Sequence, residues 1–349
     1  MPLVSGELRR GGTIFHDQGP ESCKGSEILR RGLAARSQSA SPTPNTGCAL
    51  SNKRRTLVIE IKEDPLDEKN SQNSIHQLHW ELLEQPNLWT QNIIKVQVRR
   101  GIADPPPQAA ANITTSLSPC EQSFNVLLVI ARDTSRGLKR LEIDPNCASA
   151  ILTALQRSVS GARGSIKINL EVVRPGTLDS LEEHLARAEN QHHPGYFHLV
   201  HFDLHGAVRK KRNSAVFLFS KQNSDGAVSD ETTRIDAHHV AKILQRYAVG
   251  MVVLNACESA RANCGDGSNV AKIFAKHGIK NIIAMSFRVL ESASKVFLTS
   301  FYQCLLLDRM DLSTAASNAR DILRQQSDRE ARFNLKRTLL DWFIPVSYC

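Results

Sequence analysis

Tyr196-Phe-His-Leu-Val-His-Phe-Asp-Leu-His205-Gly206 and Gly250-Met-Val-Val-Leu-Asn-Ala-Cys257-Glu-Ser-Ala are the two stretches that decide the fold. Each is a short apolar run rich in β-branched and aromatic residues, ended by a glycine or a small polar cluster, which is the pattern of a buried strand. Between them lie a polar hairpin-like insertion over residues 215–234 and a helical pattern over 236–248. That stretch supplies a right-handed crossover, so the two strands are expected to run parallel. Ligands of open parallel sheets bind beyond the carboxyl ends of the strands. His205 and Cys257, one at each strand end, therefore fall on the functional edge. A cysteine at neutral pH is mostly thiol; a neighbouring imidazole that withdraws its proton or stabilises the thiolate turns it into a nucleophile.

The same alternation extends outward from this pair. A strand over 126–131 precedes a helix over 146–158, and a strand over 168–173 precedes a helix over 177–189. After Cys257 come a helix over 269–277, a strand over 281–286, and two helices over 293–307 and 313–324. This is the signature of an α/β chain, a three-layer αβα sandwich with a mostly parallel central sheet. Gly278, just past a helix, is a natural C′ residue. The closing Trp342-Phe-Ile-Pro-Val-Ser-Tyr reads as an edge element, because Pro345 has no N–H for a central ladder.

Upstream the composition changes twice. Residues 1–55 are rich in Ser, Gly, Pro, Arg and Thr and carry nine Lys/Arg against four acids; they bury too little apolar surface to offset ordering and read as a disordered basic leader. Residues 56–120 hold a strand-like Leu57-Val-Ile-Glu-Ile, a helix-like 76–88, a second strand beginning at Ile93 and a Pro/Ala-rich spacer. They form a small α+β element with a linker, too small to fold on its own core and so accessory to the main domain, residues 121–349.

Composition narrows the function. Of the net charge of +9, +5 sits in the leader, so nucleic acid is not the expected partner. The chain has no apolar run of membrane-helix length and no apolar signal core at its start, so neither membrane insertion nor secretion is expected. Eight cysteines without a CxxC pair point to reduced thiols in a cytoplasmic or nuclear setting, with no disulfide framework and no zinc site.

Other side chains have plainer readings. Residues 201, 203 and 205 share one strand face, and His201, lacking a third ligand at suitable spacing, is expected to be structural. Asp203 either orients an imidazole, lines a pocket or sits beside a helix N-terminus. His192-His193 and His238-His239 read as solvated loop or helix-start residues. Cys264-Gly-Asp-Gly-Ser lacks the lysine of a phosphate loop, and Ala131-Arg-Asp-Thr-Ser-Arg-Gly is no dinucleotide fingerprint. Gly206 either ends the strand in a turn or, lacking a Cβ, lets a substrate carbonyl approach its amide.

Val200-His-Phe-Asp-Leu-His205-Gly206 followed by Val252-Val-Leu-Asn-Ala-Cys257-Glu-Ser resembles the CHAT domain, a caspase-related module akin to separase and other caspase-like cysteine peptidases. In caspases the histidine stands about 50 residues upstream of the cysteine. Val126-Leu-Leu-Val-Ile-Ala-Arg, Glu171-Val-Val-Arg-Pro-Gly-Thr-Leu, Gly278-Ile-Lys-Asn-Ile-Ile-Ala-Met-Ser, Asp341-Trp-Phe-Ile-Pro-Val and His79-Trp80-Glu81-Leu-Leu are similar to the same family. The resemblance implies a caspase-like fold and a cysteine endopeptidase acting on protein or peptide substrates in signalling or defence. It implies Cys257 as nucleophile and His205 as base, the amides of Gly206 and Cys257 as oxyanion donors, and neither metal nor organic cofactor. Asp203, Asn255, Glu258 and Ser286 are the candidate substrate-cleft residues. The alternative is a catalytically silent adaptor with the same fold.

Two departures from the family pattern stand out. Leu204 replaces a residue often Gly before the histidine, and Asn255 stands where Arg-selective relatives carry Asp, so little preference for a basic P1 residue is expected. The chain has no TPR-type repeat; regulation would come from a protein partner of TPR or NTPase type, from the leader or from oligomerisation.

Overall fold

A computed structural model of the chain describes residues 8–10, 13–15, 56–63, 78–89, 95–102, 123–131, 167–209, 214–223, 228–255, 266–287, 289–330 and 335–349. Its strands are β1 (Leu8–Arg10), β2 (Thr13–Phe15), β3 (Thr56–Glu63), β4 (Lys95–Ile102), β5 (Ser123–Ala131), β6 (Lys167–Val173), β7 (Leu199–Arg209), β8 (Ser214–Gln222), β9 (Val228–Asp236), β10 (Met251–Asn255), β11 (Asn281–Met285), β12 (Asp328–Glu330), β13 (Lys336–Thr338) and β14 (Pro345–Tyr348). The α-helices are α1 (Leu178–Gln191), α2 (Ala237–Arg246), α3 (Asp266–Lys276), α4 (Glu291–Tyr302), continued by a π-helical turn Gln303–Leu307, and α5 (Leu312–Gln325). The helix proposed over 146–158 lies outside the described residues.

Apart from the small pairs β1–β2 and β12–β13, the strands form one ten-stranded sheet. Its main path runs β3-β4-β14-β11-β10-β7-β5-β6, with β8 and β9 added as a ribbon on the far end of β7. β11, β10, β7, β5 and β6 are mutually parallel, and β14 is antiparallel to β11 but parallel to β4. Every residue of β10 and β11 is buried, which is why both read as unbroken apolar runs rather than as an alternation.

The period of two sorts these strands between two cores. Val200, Phe202, Leu204, Val252, Leu254, Leu127 and Val129 face one side, where α1, α2 and α3 deliver Leu181, Leu185, Val240, Leu244 and Phe274. Leu199, Met251, Val253, Phe124, Val126 and Leu128 face the other, against Phe297, Phe301, Leu312 and Leu323 from α4 and α5. At about 1.5–3 kcal/mol for each fully buried large apolar side chain, the two cores are what hold three layers together. The expected αβα sandwich is thus the observed one. Helix ends follow local rules: Thr177, Asp236 and Asp311 cap α1, α2 and α5 through their side-chain oxygens, and Gly278 takes φ +86° after α3.

Two expectations are corrected. β14 is interior rather than an edge, because Pro345 is its first residue, where a missing N–H is tolerated, and Val346, Ser347 and Tyr348 carry on the pairing with β11. β3 and β4 extend the sheet beyond β14, with a small third cluster of Ile59, Ile61, Val96 and Val98 under Trp80, Leu83 and Trp89. Of the helix-like segment over 76–88, the described residues form two short 3₁₀ turns, Trp80–Glu84 and Pro86–Leu88, since Pro86 interrupts an α-helical ladder.

Gly176, in the turn after β6, touches the end of β5 so closely that an added Cβ would lie 2.0 Å from the Ile130 carbonyl oxygen. No rotamer relieves a clash with backbone. Gly176→Ala is therefore expected to cost about 3 kcal/mol or more, measured as a fall in the urea midpoint of unfolding; an unchanged midpoint would refute this packing.

Candidate functional site

β7 is longer than the strands beside it, and His205 sits where its surroundings change. Residues 199–204 lie in the parallel ladder with β5, and residues 199–203 pair with β10. From His205 to Arg209 the same strand pairs antiparallel with β8 instead. His205 is half-buried, at the point where β7 leaves the sheet's carboxyl edge. Gly206 does not end the strand in a turn; it is buried opposite Phe217 in that ribbon. Leu204 packs in the first core and is the last β7 residue paired with β5.

Beneath His205, on the same face, two polar residues are sealed from solvent. Asp203 and Asn255 are each 1% exposed and occupy one rung of the β7–β10 ladder. Asn255 Nδ2 donates to Asp203 Oδ1 at 3.1 Å, and Asn255 Oδ1 accepts from the Ser294 hydroxyl, in the first turn of α4, at 3.0 Å. A carboxylate and an amide buried this deeply are tolerated because such hydrogen bonds replace those given up to water. The chain ties β7, β10 and α4 together at the sheet's carboxyl edge and engages the Asn255 amide through both its nitrogen and its oxygen.

One rung deeper, His201 is fully buried and its Nδ1 lies 2.6 Å from the Tyr302 hydroxyl at the end of α4. Burial drives the Tyr302 phenol well above its ordinary range, so Tyr302 is a neutral hydrogen-bonding group. The expected structural role of His201 is the one it has. Ser286 is buried at the end of β11; its amide and its hydroxyl both donate to the Ile344 carbonyl, at 2.9 and 2.8 Å. It closes the approach to β14.

Of the residues singled out from sequence, His205, Gly206, Asp203 and Asn255 gather where β7 runs on past the end of β10, while Ser286 stands one strand further on. Cys257 and Glu258 lie outside the described residues. Ser294 and Tyr302 were not recognised from sequence: they stand 39 and 101 positions from their partners, and only the docking of α4 on the sheet brings them there. Among the described residues no three His, Cys, Asp or Glu side chains converge on a metal site, and no described helix is long and apolar enough to cross a membrane.

The family model of the CHAT domain matches residues 70–347. No curated protein matches the chain.

Proposed function

The chain belongs to the CHAT domain family, whose members are related to caspase-like peptidases, and from that premise we propose that it is a cysteine endopeptidase cutting protein substrates through Cys257 and His205. The observation that carries this reading is the register of β10 on β7, which pairs residues 52 positions apart, as Asn255 pairs with Asp203. His205 and Cys257 are also 52 positions apart. Cys257 follows the last residue of β10 by two, and two residues reach at most about 7 Å. The Asp203–Asn255–Ser294 chain supports the reading by fixing the rung from which both residues depart.

In this reading the imidazole of His205 takes the Cys257 proton and the thiolate attacks the peptide carbonyl. The amides of Gly206 and Cys257 donate to the oxyanion. The imidazolium then protonates the leaving amine, and water, deprotonated by the same imidazole, hydrolyses the thioester and restores the thiol. The protein or peptide substrate meets no carboxylate at position 255, since Asn255 is a neutral amide already engaged by Asp203 and Ser294, so recognition of a basic P1 side chain is not expected.

The test is the pH dependence of alkylation at Cys257. In wild type the thiol should titrate well below the ordinary cysteine value of about 8.5, and in His205→Ala it should return toward that value. Cys304 is the internal reference: burial first, and Asp308 beside it, push its thiol up, so it should alkylate slowly in both. A Cys257 profile identical in the two proteins would overturn the pairing.

A further inference from the structure

α2 and α3 pack side by side on the face of the sheet opposite α4. Across their contact, at a distance from the site already described, two imidazoles meet. His238 Nδ1, from the first turn of α2, lies 3.2 Å from Nε2 of His277, the residue that follows α3, with the rings 76° apart. His238 is exposed and His277 partly so. We propose that this pair is a chelating site for a nitrogen-preferring divalent transition ion, of the Zn²⁺, Ni²⁺ or Cu²⁺ class, with water completing the coordination.

The spacing suits a shared ion. Metal–imidazole bonds are about 2.0–2.1 Å, so two nitrogens on one ion stand about 2.9 Å apart at a right angle and about 3.4 Å apart at the tetrahedral angle. The observed separation falls between these limits. In the metal-free pair one N–H···N hydrogen bond joins the rings; on binding, that hydrogen moves through solvent to the other nitrogen of its own ring, and both facing lone pairs turn to the ion. Lys242 opposes any cation, and with only two protein ligands the site discriminates by donor type. Hard oxygen-seeking ions such as Mg²⁺ should be ignored. A bound ion would clamp α2 to α3, the helix that opens nine residues after Cys257.

Thermal unfolding of the full chain titrated with Ni²⁺ tests this, with Mg²⁺ as control. Wild type at pH 7.5 should show a saturable rise in Tm of about 2–4 °C. The rise should vanish in His238→Gln and in His277→Gln, both at positions open enough to leave the fold intact. It should persist in His205→Gln, and it should fade below pH 6.5 as protons compete. No rise in wild type, a rise surviving in either pair variant, or a rise abolished by His205→Gln would overturn the assignment.

Discussion

Cys257→Ala is expected to reduce peptide-bond hydrolysis at least about 10³-fold, because removing a nucleophile takes away the covalent route itself rather than one contact along it. An electrophilic peptide probe should label wild type and leave the variant unlabelled, and His205→Ala should lose hydrolysis to a similar extent, since the two residues act as a unit. The readout also separates the enzyme from an adaptor of the same fold. Equal processing of a protein substrate by wild type and Cys257→Ala would sink the peptidase reading. So would capture of the same partner by both with no hydrolysis by either. Peptide-library cleavage dominated by Arg or Lys at P1 would overturn the specificity argument drawn from Asn255 without touching the nucleophile.

Glu84→Ala should be the most damaging substitution far from that edge. Glu84, in the first 3₁₀ turn, accepts two hydrogen bonds from the Arg320 guanidinium, at 2.6 and 2.8 Å, and a third from the Val98 amide at 2.7 Å. Arg320 is fully buried on α5 and also donates to the Pro345 carbonyl. Burial pulls the Arg320 pKa down, yet the adjacent carboxylate leaves it raised. Without Glu84 that charge stays buried and uncompensated, at a cost of about 3–5 kcal/mol, seen as a large drop in Tm or in the urea midpoint. Glu84→Leu combined with Arg320→Met, which removes both charges, should recover much of the loss. If the double variant is as unstable as the single one, packing rather than charge is the cause. Glu81 and Arg100 form a second such pair, bidentate at 2.8 and 2.6 Å and fully buried. Together the two pairs fasten residues 78–89 to β4 and α5.

The polar side chains of this second prediction were legible only in part. His79-Trp80-Glu81-Leu-Leu stood out as a resembling segment, but nothing in its local pattern says that Glu81 and Glu84 face inward; surface glutamates in a helical pattern look the same. Their partners lie 19 and 236 positions away. Strand residues were easier. β5, β6, β7, β10 and β11 lie close to where periodicity put them, because burial on both faces leaves an apolar run that few other structures require. Pro345 reads as the mark of an edge strand, yet only its own N–H is missing, and β14 lies inside the sheet.

The linear chain alone settles the alternation of buried strands and amphipathic helices, the parallel core of the sheet and the position of His205 at the sheet's carboxyl edge, although β7 itself runs on to Arg209. These follow from short-range rules, namely side-chain period and chain-breaking residues, which the chain obeys wherever it ends up. The tertiary structure alone decided that β14 lies inside the sheet, that α4 brings Ser294 and Tyr302 against β10 and β7, and that Glu84 meets Arg320. Each of these depends on surfaces far apart in the chain closing on one another, and the hydrogen bonds that reward the closure exist only once water has been expelled from between them.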